Sequence, residues 1–396
     1  MISKAMQKLA GGNSAIRAMF EEGNRLAALY GRENVYDFSL GNPNFPAPDA
    51  VKTAAIDILN TVDPISLHGY MSNAGYPEVR QAIAESLNSR FGTDFTQDNI
   101  IMTVGAAGGL NVILKTILDP GDEVLTFAPY FLEYGNYVRN FGGTLKAVPA
   151  NTETFQPNLI EFEKMISTAT KAVIINSPNN PTGVVYSAET LTALSDILRA
   201  KQTEYGHEIY LISDEPYREL AYDGVDVPYV TKFYDNTFIG YSWSKSLSLP
   251  GERIGYIVIP TAMADSQTTF DAAAIANRVL GFVNAPSLQQ RMVVRCLNEK
   301  TDISGYDGNR RALYDGLTAL GFDCVFPQGA FYLWMKTPVD DREFVNEAKK
   351  YNILVVPGSS FACSGYVRIA YCVARDTILR SMNAFAKLAE VYNLNK

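Results

Sequence analysis

The sequence predicts an α/β protein with a large, mainly parallel sheet flanked by helices and a second, smaller α+β domain. Through the middle of the 396-residue chain, short β-branched runs alternate with amphipathic helical patterns. These runs are apolar along their whole length, which is typical of parallel strands that are buried on both faces. The last third follows a less regular order of helices and strands, which indicates an α+β domain.

The large domain is predicted over residues 46–286. Its strands are read from the segments IIMTV, EVLTFAP, KAVIINSP, EIYLISDE, FIGYSWS and RIGYIVI. Between two of them, the stretch from Ser187 to Lys201 has apolar residues at helical spacing, and Ser187 is suited to cap the helix. Strands that alternate with helices in this way are joined by crossovers, so the sequence predicts mainly parallel pairing.

The small domain is predicted to be composite, built from residues 1–45 and 287–396. The opening residues, as far as SLGNPNFPAP, contain no second strand with which to pair, and we therefore assign them to this domain. The C-terminal part is predicted to contain helices at Ser287 to Asn298 and Arg310 to Leu320, the strand pair GFDCVF and AFYLWMK, a helix from Asp341 to Lys350, the strands ILVV and YVRIAYC, and a long last helix.

Composition excludes several classes of function. Lys and Arg number 34 against 42 Asp and Glu, and this net charge of −8 argues against a nucleic-acid partner. With His68 and His207 as the only histidines, a His-rich metal site cannot form, and no metal is expected. The chain shows no signal-peptide pattern and no apolar run long enough to span a membrane. We therefore expect a cytoplasmic protein whose four cysteines are buried free thiols: Cys296, Cys324, Cys363 and Cys372.

Familiar nucleotide and hydrolase motifs are also absent. The chain has no GxGxxG, no Gly-Lys dipeptide for a Walker A loop and no GxSxG. The segment from Tyr210 to Glu215 resembles a Walker B strand. A nucleotide-hydrolysing enzyme also needs a phosphate-binding loop, and since the sequence has none, this function is disfavoured.

Four unusual segments follow predicted strands: GAAGG, NNPTG, DEPY and SWSK. Ligands of parallel α/β sheets bind beyond the carboxyl ends of the strands, so these segments mark the expected site. Lys245 of SWSK lies among Trp243, Leu247 and Leu249, where desolvation would lower the pKa of its amine. Such an amine suits Schiff-base chemistry with a carbonyl. Taken alone, however, a lysine at the end of a strand is more often a surface residue.

Other residues near the strand ends have two readings each when taken alone. Asp214 follows an apolar strand and needs a cationic or hydrogen-bonding partner, as a ligand contact or a structural salt bridge. The small residues of Gly105–Gly109 open a helix, where they admit a phosphate or close packing. Asn180 lies in a motif that also makes a plain turn, and Arg253 is compatible with a surface charge or a loop folded back to the lysine. Arg368 in an apolar strand is either paired or free for an anionic ligand.

Taken together and in this order, N-N-P-T-G, S-D-E-P-Y and S-x-S-K with an arginine eight residues later resemble the fold-type I pyridoxal-phosphate aminotransferases of classes I and II. The likeness runs from SLGNPNFPAP to YVRIAYC, which is nearly the whole chain. It implies an aspartate aminotransferase-like fold, pyridoxal 5′-phosphate as cofactor, and ping-pong exchange of an amino group between an amino acid and a 2-oxo acid.

The resemblance also implies roles for residues. Lys245 is expected to form the internal aldimine and then to move the proton between the substrate Cα and the cofactor C4′. Asp214 is expected to face the pyridine nitrogen and keep it protonated, which makes the ring an electron sink. Asn180 and Tyr217 are expected to hydrogen-bond the ring O3′, and Phe131 to stack on the ring face.

Phosphate and substrate contacts follow from the same resemblance. Arg368 is expected to bind the substrate α-carboxylate through two donors, with Gly41 and Asn180 near the substrate. A tyrosine that reaches the neighbouring subunit's phosphate implies a homodimer with shared active sites. The phosphate ligands so implied are Gly105, Ala106, Ala107, Ser242, Ser244, Arg253 and, from the neighbouring subunit, Tyr70.

Two positions depart from the family pattern. Trp243 stands between the serines where Phe or an aliphatic residue is usual, and we expect a tighter fit beneath the cofactor. Ala107 stands where some aspartate-preferring relatives have a lysine, which removes one route to dicarboxylate specificity. Another basic residue, for example one from the partner subunit, could replace that lysine, and the sequence does not identify it.

The leading hypothesis is therefore an amino acid:2-oxo acid aminotransferase. Its donor is expected to be aspartate, an aromatic amino acid or alanine, with glutamate and 2-oxoglutarate as the partner couple. A C–S β-lyase or another pyridoxal-phosphate lyase shares every cofactor residue, so the motifs do not separate it. A non-catalytic effector-binding domain of a transcription regulator is disfavoured by the short stretch before the aminotransferase-like region and by the acidic charge.

Overall fold

The computed structural model describes residues 2–11 and 15–394. The helices are α1 (Lys4–Gly11), α2 (Ala15–Tyr30), α3 (Asp49–Thr61), α4 (Pro64–His68), α5 (Pro77–Phe91), α6 (Gly105–Ile117), α7 (Glu133–Asn140), α8 (Leu159–Met165), α9 (Ala188–Tyr205), α10 (Trp243–Ser246), α11 (Ser266–Val279), α12 (Ser287–Val294), α13 (Ile303–Ala319), α14 (Asp341–Lys349) and α15 (Arg375–Val391). The strands are β1 (Tyr36–Asp37), β2 (Ile100–Thr103), β3 (Glu123–Phe127), β4 (Thr144–Val148), β5 (Thr170–Asn176), β6 (Tyr210–Asp214), β7 (Thr237–Ser242), β8 (Gly255–Val258), β9 (Cys324–Val325), β10 (Tyr332–Lys336), β11 (Ile353–Leu354), β12 (Val356–Pro357) and β13 (Tyr366–Ala370).

A seven-stranded sheet forms the large domain, with the strand order β2-β8-β7-β6-β5-β3-β4. Its strands run parallel except for β8, which is antiparallel to both of its neighbours. The connection from β7 to β8 contains only the short helix α10, so the chain turns back instead of crossing over. The predicted mainly parallel α/β sheet is confirmed, and β4, which the sequence did not indicate, extends it at one edge.

The strands are buried on both faces, as their apolar character predicts. Neighbouring residues of β3 show this, because Val124 belongs to the core on one face and Leu125 to the core on the other. The predicted helix after the NNPTG turn is α9, and the Ser187 side chain caps it by accepting a hydrogen bond from the Thr190 backbone nitrogen.

The small domain has a four-stranded antiparallel sheet with the order β12-β13-β10-β9. The opening segment joins it through β1, which pairs in parallel with β11 in the register Tyr36 to Ile353. A separate apolar core combines residues of α2, α13, α15 and β10. The domain limits at 45/46 and 286/287 stay a prediction.

The cysteines form no disulfide. Cys296, Cys363 and Cys372 are buried free thiols, but Cys324 is only half-buried, so the expectation of four buried thiols is wrong for this residue. Cys324 lies in β9, a two-residue strand at the edge of the small sheet, where one side of the strand has no neighbour. Within the described ranges, no helix has the length and apolar character needed to cross a membrane.

Candidate active site

A cavity of about 280 Å³ opens where β5, β6 and β7 end and α6 begins. This is the edge at which parallel sheets bind ligands. The wall includes every predicted site residue except Gly105 and Tyr70: Gly41, Ala106, Ala107, Phe131, Asn180, Asp214, Tyr217, Ser242, Ser244, Lys245, Arg253 and Arg368.

The amine of Lys245 is held in an apolar corner of this cavity. It donates a hydrogen bond to the Gly41 carbonyl oxygen at 2.7 Å, and the ring centroids of Phe331 and Tyr217 lie 5.2 and 6.0 Å from Nζ. Burial lowers the pKa of Lys245 to about 8, and the positive charge of Arg368 acts in the same direction. The predicted desolvation is therefore present, and it leaves a larger fraction of the amine neutral and nucleophilic.

Asp214 ends β6 with one oxygen bound and one free. Its Oδ2 accepts a hydrogen bond from the Tyr134 hydroxyl at 2.6 Å, whereas the buried Oδ1 has no partner. Burial raises the pKa of Asp214 to about 7, and the Tyr134 hydrogen bond opposes this rise. A buried carboxylate oxygen without a partner is costly, so the cavity wall here is suited to an N–H donor.

The NNPTG segment is more than a plain turn. Asn179 holds the turn together by accepting from the backbone nitrogen and hydroxyl of Thr182 at 3.1 and 2.8 Å. The Asn180 side chain is thereby left to face the cavity, where its Oδ1 accepts a hydrogen bond from Arg368 Nη1 at 3.0 Å. The next aromatic group of the wall, Tyr217, shares a 2.9 Å hydrogen bond between its hydroxyl and that of Tyr332.

An anion-binding end lies at the start of α6. Gly105 has a φ of +70°, and a Cβ there would come within 2.7 Å of Arg253 Nη2. Because the first turn of a helix has unpaired N–H groups and a positive dipole end, Ala106 and Ala107 present an electropositive surface beside Arg253. Gly105 is therefore next to the cavity and keeps space for the guanidinium, although it does not line the wall.

Arg368 lies in β13 and is almost fully buried. Its Nη2 donates to the Ser39 carbonyl oxygen at 2.6 Å, and the rings of Tyr332 and Phe361 lie 4.5 and 4.9 Å from its Cζ. Within the described part of the chain it makes no ion pair, so its charge lacks a carboxylate partner. Each terminal nitrogen keeps a second N–H, which suits bidentate binding of a carboxylate.

Trp243 corrects one expectation. It does not line the cavity, because its ring packs against Tyr241 and Tyr256 with centroids 5.5 and 5.4 Å away. Ser242 ends β7 and Ser244 lies in the helix α10 that follows, and both face the cavity, whereas the Trp243 side chain between them lies in the core of the large domain. The expected tighter fit beneath a cofactor is wrong.

Tyr70 lies away from its own chain's cavity and is 93% exposed. Nearby, the Asn73 side chain donates to the Val283 carbonyl oxygen, so this surface joins two segments of the large domain. Its contact with a second subunit stays a prediction.

Two tyrosines of the site were missed by the motifs. Tyr134 binds Asp214, and its position three residues after Phe131 at the start of α7 is a local signal that could have been read. Tyr332 contacts Tyr217 and Arg368 from β10, and nothing in the apolar segment AFYLWMK indicates this.

The residues present fit pyridoxal phosphate. A free carboxylate oxygen of Asp214 is available for the protonated ring nitrogen, and the start of α6 with Arg253 is available for the phosphate. The buried amine of Lys245 lies on the same cavity and is available for the carbonyl carbon.

Known proteins resemble this chain over nearly its full length. The family model described as aminotransferase class I and II matches residues 33–385. A probable aspartate/prephenate aminotransferase of Thermus aquaticus is 35% identical over 357 residues, which cover 88% of this chain and 89% of the relative. The crystal structure of an amino transferase from Eubacterium rectale is 48% identical, with a TM-score of 0.98 and 99% of both chains covered. Aspartate aminotransferase from Thermus thermophilus with maleate has a TM-score of 0.86 at 30% identity, covering 98% of this chain and 100% of that one.

Proposed function

The chain belongs to the class I and II aminotransferases, which depend on pyridoxal phosphate, and on that premise we propose how its own residues carry the reaction. When bound, the cofactor supplies an electron-withdrawing ring that accepts the electron pair released as the substrate Cα–H bond breaks. The protein's part is to bind both partners, to orient that bond and to hold or move protons.

In this proposal, Lys245 holds the cofactor and then moves the proton to and from the substrate Cα, which its lowered pKa supports. Asp214 keeps a proton on the ring nitrogen, because its free oxygen would otherwise be an unpaired buried charge. Asn180 and Tyr217 bind the ring oxygen, and Phe131 packs on the ring. Arg368 orients the substrate through its carboxylate.

The phosphate is assigned to the end of the cavity where α6 begins. The proposed ligands are the backbone at Gly105, Ala106 and Ala107, the side chains of Ser242, Ser244 and Arg253, and Tyr70 of a second subunit.

The lining also bears on the substrate side chain. The described wall residues include three cations, Lys245, Arg253 and Arg368, and each already has a role in the proposal. With Ala107 in place of a lysine, none of these residues is left for a second carboxylate. A second carboxylate would therefore need a basic residue from the partner subunit, and aspartate, an aromatic amino acid and alanine all stay open as the donor, with glutamate and 2-oxoglutarate as the expected partner couple.

The observation that carries the proposal is one cavity that combines three groups. They are an amine with a lowered pKa, a buried carboxylate with one free oxygen, and an arginine without an ion pair among the described residues. The test is a visible absorption spectrum of the purified enzyme before and after single amino acids. A yellow protein that is bleached by a donor and restored by a 2-oxo acid supports transamination, and Lys245→Ala should lack both responses. The relative rates of bleaching by aspartate, phenylalanine and alanine then rank the donors. Release of pyruvate and ammonia from cystathionine, with no 2-oxo acid added, would indicate a lyase instead.

We further propose a homodimer in which Tyr70 serves the other subunit's site. Its exposure supports this, as do two exposed apolar residues, Ile65 a turn earlier in the chain and Val283, whose carbonyl oxygen accepts from Asn73. Mixing inactive Lys245→Ala subunits with Tyr70→Ala subunits should restore activity, because one hybrid site then has both residues. No recovery after exchange of subunits would contradict shared sites. The unpaired thiols support a reducing compartment, and we assign the protein to the cytoplasm.

A further inference from the structure

The geometry points to Tyr332 as a positioning residue that links the two ends of the active site, with separate tasks for its hydroxyl and its ring. The hydroxyl sets the hydrogen bonding of Tyr217, and the ring holds the Arg368 guanidinium in place for a substrate carboxylate. This inference rests on the proposed function, because it concerns how two of its residues are held.

The hydroxyl of Tyr332 has one recorded partner among the described residues, the Tyr217 hydroxyl at 2.9 Å. Both side chains are buried, so water does not compete for this hydrogen bond. If Tyr332 donates, the Tyr217 oxygen accepts and its own proton is free to be donated into the cavity. A phenol that accepts such a bond is also a stronger donor, because hydrogen bonds in a chain polarise one another.

The ring of Tyr332 has a different neighbour. Its centroid lies 4.5 Å from Arg368 Cζ, and Phe361 lies 4.9 Å from the same carbon, so the guanidinium is held by two rings. The guanidinium edge keeps its hydrogen bonds to Asn180 and Ser39. Ring contact with a desolvated guanidinium is favourable and leaves its N–H groups free to bind a carboxylate.

The local backbone also depends on Tyr332. A Cβ at Gly41 would clash with the Tyr332 hydroxyl oxygen, so the hydroxyl occupies the space that a side chain at Gly41 would need. The Gly41 carbonyl oxygen in turn accepts the Lys245 hydrogen bond. Tyr332 therefore contacts Tyr217 and Arg368 directly and Lys245 through Gly41, and it forms no ion pair with any of them.

Two variants of the loaded enzyme separate the two tasks. Tyr332→Phe keeps the ring and removes the hydroxyl, which weakens the donor at Tyr217. The ring oxygen of the bound cofactor would then keep more of its negative charge. Because this charge stabilises a proton on the neighbouring Lys245 nitrogen, that nitrogen would keep its proton to higher pH. We expect the midpoint of the pH-dependent change in the visible band to rise by about half a pH unit. The other charged and titratable groups around Lys245 and Tyr217 are Cys372, Arg368, Arg253, Asp214 and Tyr134, and this variant leaves all five in place.

Tyr332→Leu removes the ring as well. The dissociation constant of 3-phenylpropionate, an unreactive monocarboxylate followed by its effect on the same band, should rise about tenfold. The same constant should change by less than about twofold in Tyr332→Phe, because the ring remains.

Tyr371→Phe is the matched control, since this buried tyrosine of the same core donates to the Ala330 carbonyl oxygen, lies beside the Tyr222 hydroxyl and does not line the cavity. It should change neither measurement. Circular dichroism and thermal unfolding check the fold, and Tyr332→Phe alone tests the hydroxyl if the leucine variant does not fold. An unchanged midpoint in Tyr332→Phe, or an unchanged dissociation constant in a folded Tyr332→Leu, overturns the inference. Failure of the wild-type enzyme to bind pyridoxal phosphate or to transaminate would instead overturn the proposed function.

Discussion

Replacing Asp214 with asparagine tests the electrostatics of the site in enzyme from which the cofactor has been removed. The wild-type carboxyl group is buried, with Oδ1 unpaired and only Tyr134 to stabilise its charge. Asparagine has nearly the same shape, keeps an oxygen for the Tyr134 hydroxyl, and does not ionise. The variant therefore removes the buried charge with little change in packing.

The magnitude follows from the pKa of Asp214, which burial raises from 3.8 to about 7. Because the folded chain binds this proton more tightly than the unfolded chain does, the folded state is favoured at low pH and loses stability as pH rises toward 7. The full shift corresponds to about 4 kcal/mol, of which about 3 kcal/mol is lost between pH 5 and pH 8. The loss is complete by about pH 8.

The assay is urea unfolding of the cofactor-free enzyme at several pH values between 5 and 8.5. Other groups titrate in both proteins, so the quantity to follow is the difference in unfolding free energy between wild type and Asp214→Asn. We expect this difference to move against the wild type by about 3 kcal/mol over that range. Tyr134→Phe removes the hydrogen bond that opposes the rise in the pKa of Asp214, so its loss of stability should extend to higher pH.

Parallel stability curves for wild type and Asp214→Asn would refute the reasoning, since they would mean that Asp214 titrates alike in the folded and unfolded chains. At pH 8, adding pyridoxal phosphate should make the wild type more stable to unfolding than Asp214→Asn, because the protonated ring nitrogen then pairs with the wild-type carboxylate.

Three further predictions concern the other ends of the cavity. Burial lowers the pKa of Lys245 to about 8, so the rate at which the cofactor-free enzyme captures pyridoxal phosphate should rise with pH and level off above about pH 8. Stopped-flow absorbance measures this rate, and a rate independent of pH from 7 to 9 would contradict the prediction. Arg368→Lys keeps the charge but loses the planar pair of donors, so the KM for amino acid donors should rise about hundredfold in steady-state rates, whereas an unchanged KM would exclude the carboxylate role. Gly105→Ala places a Cβ 2.7 Å from Arg253 Nη2 at positive φ, so pyridoxal phosphate should bind about tenfold more weakly in fluorescence titrations, while Gly121→Ala, with positive φ but open space, should leave this affinity unchanged.

Local sequence was sufficient to find most of the site because its residues follow strands of a parallel sheet. Asp214 ends β6 and Lys245 follows β7, and the carboxyl ends of parallel strands meet at one edge. Once the apolar runs are read as strands, residues just beyond them are expected to be neighbours even when about thirty positions separate them. The resemblance of the ordered motifs to a known family predicted the reaction, and the strand pattern predicted where in the fold the site lies.

The sequence by itself thus determined the α/β class, the strand ends that carry the site and the pyridoxal-phosphate chemistry. Only the tertiary structure decided what surrounds those residues. Tyr332 is 115 positions from Tyr217 and comes from the sheet of the other domain, so no local period could bring their hydroxyls together. Trp243 lies away from the cavity because its ring packs against Tyr241 and Tyr256 in the core of the large domain. Partners of this kind depend on how the loop after β6 packs into the apolar core of the small domain, and that packing joins residues whose spacing along the chain has no regular period.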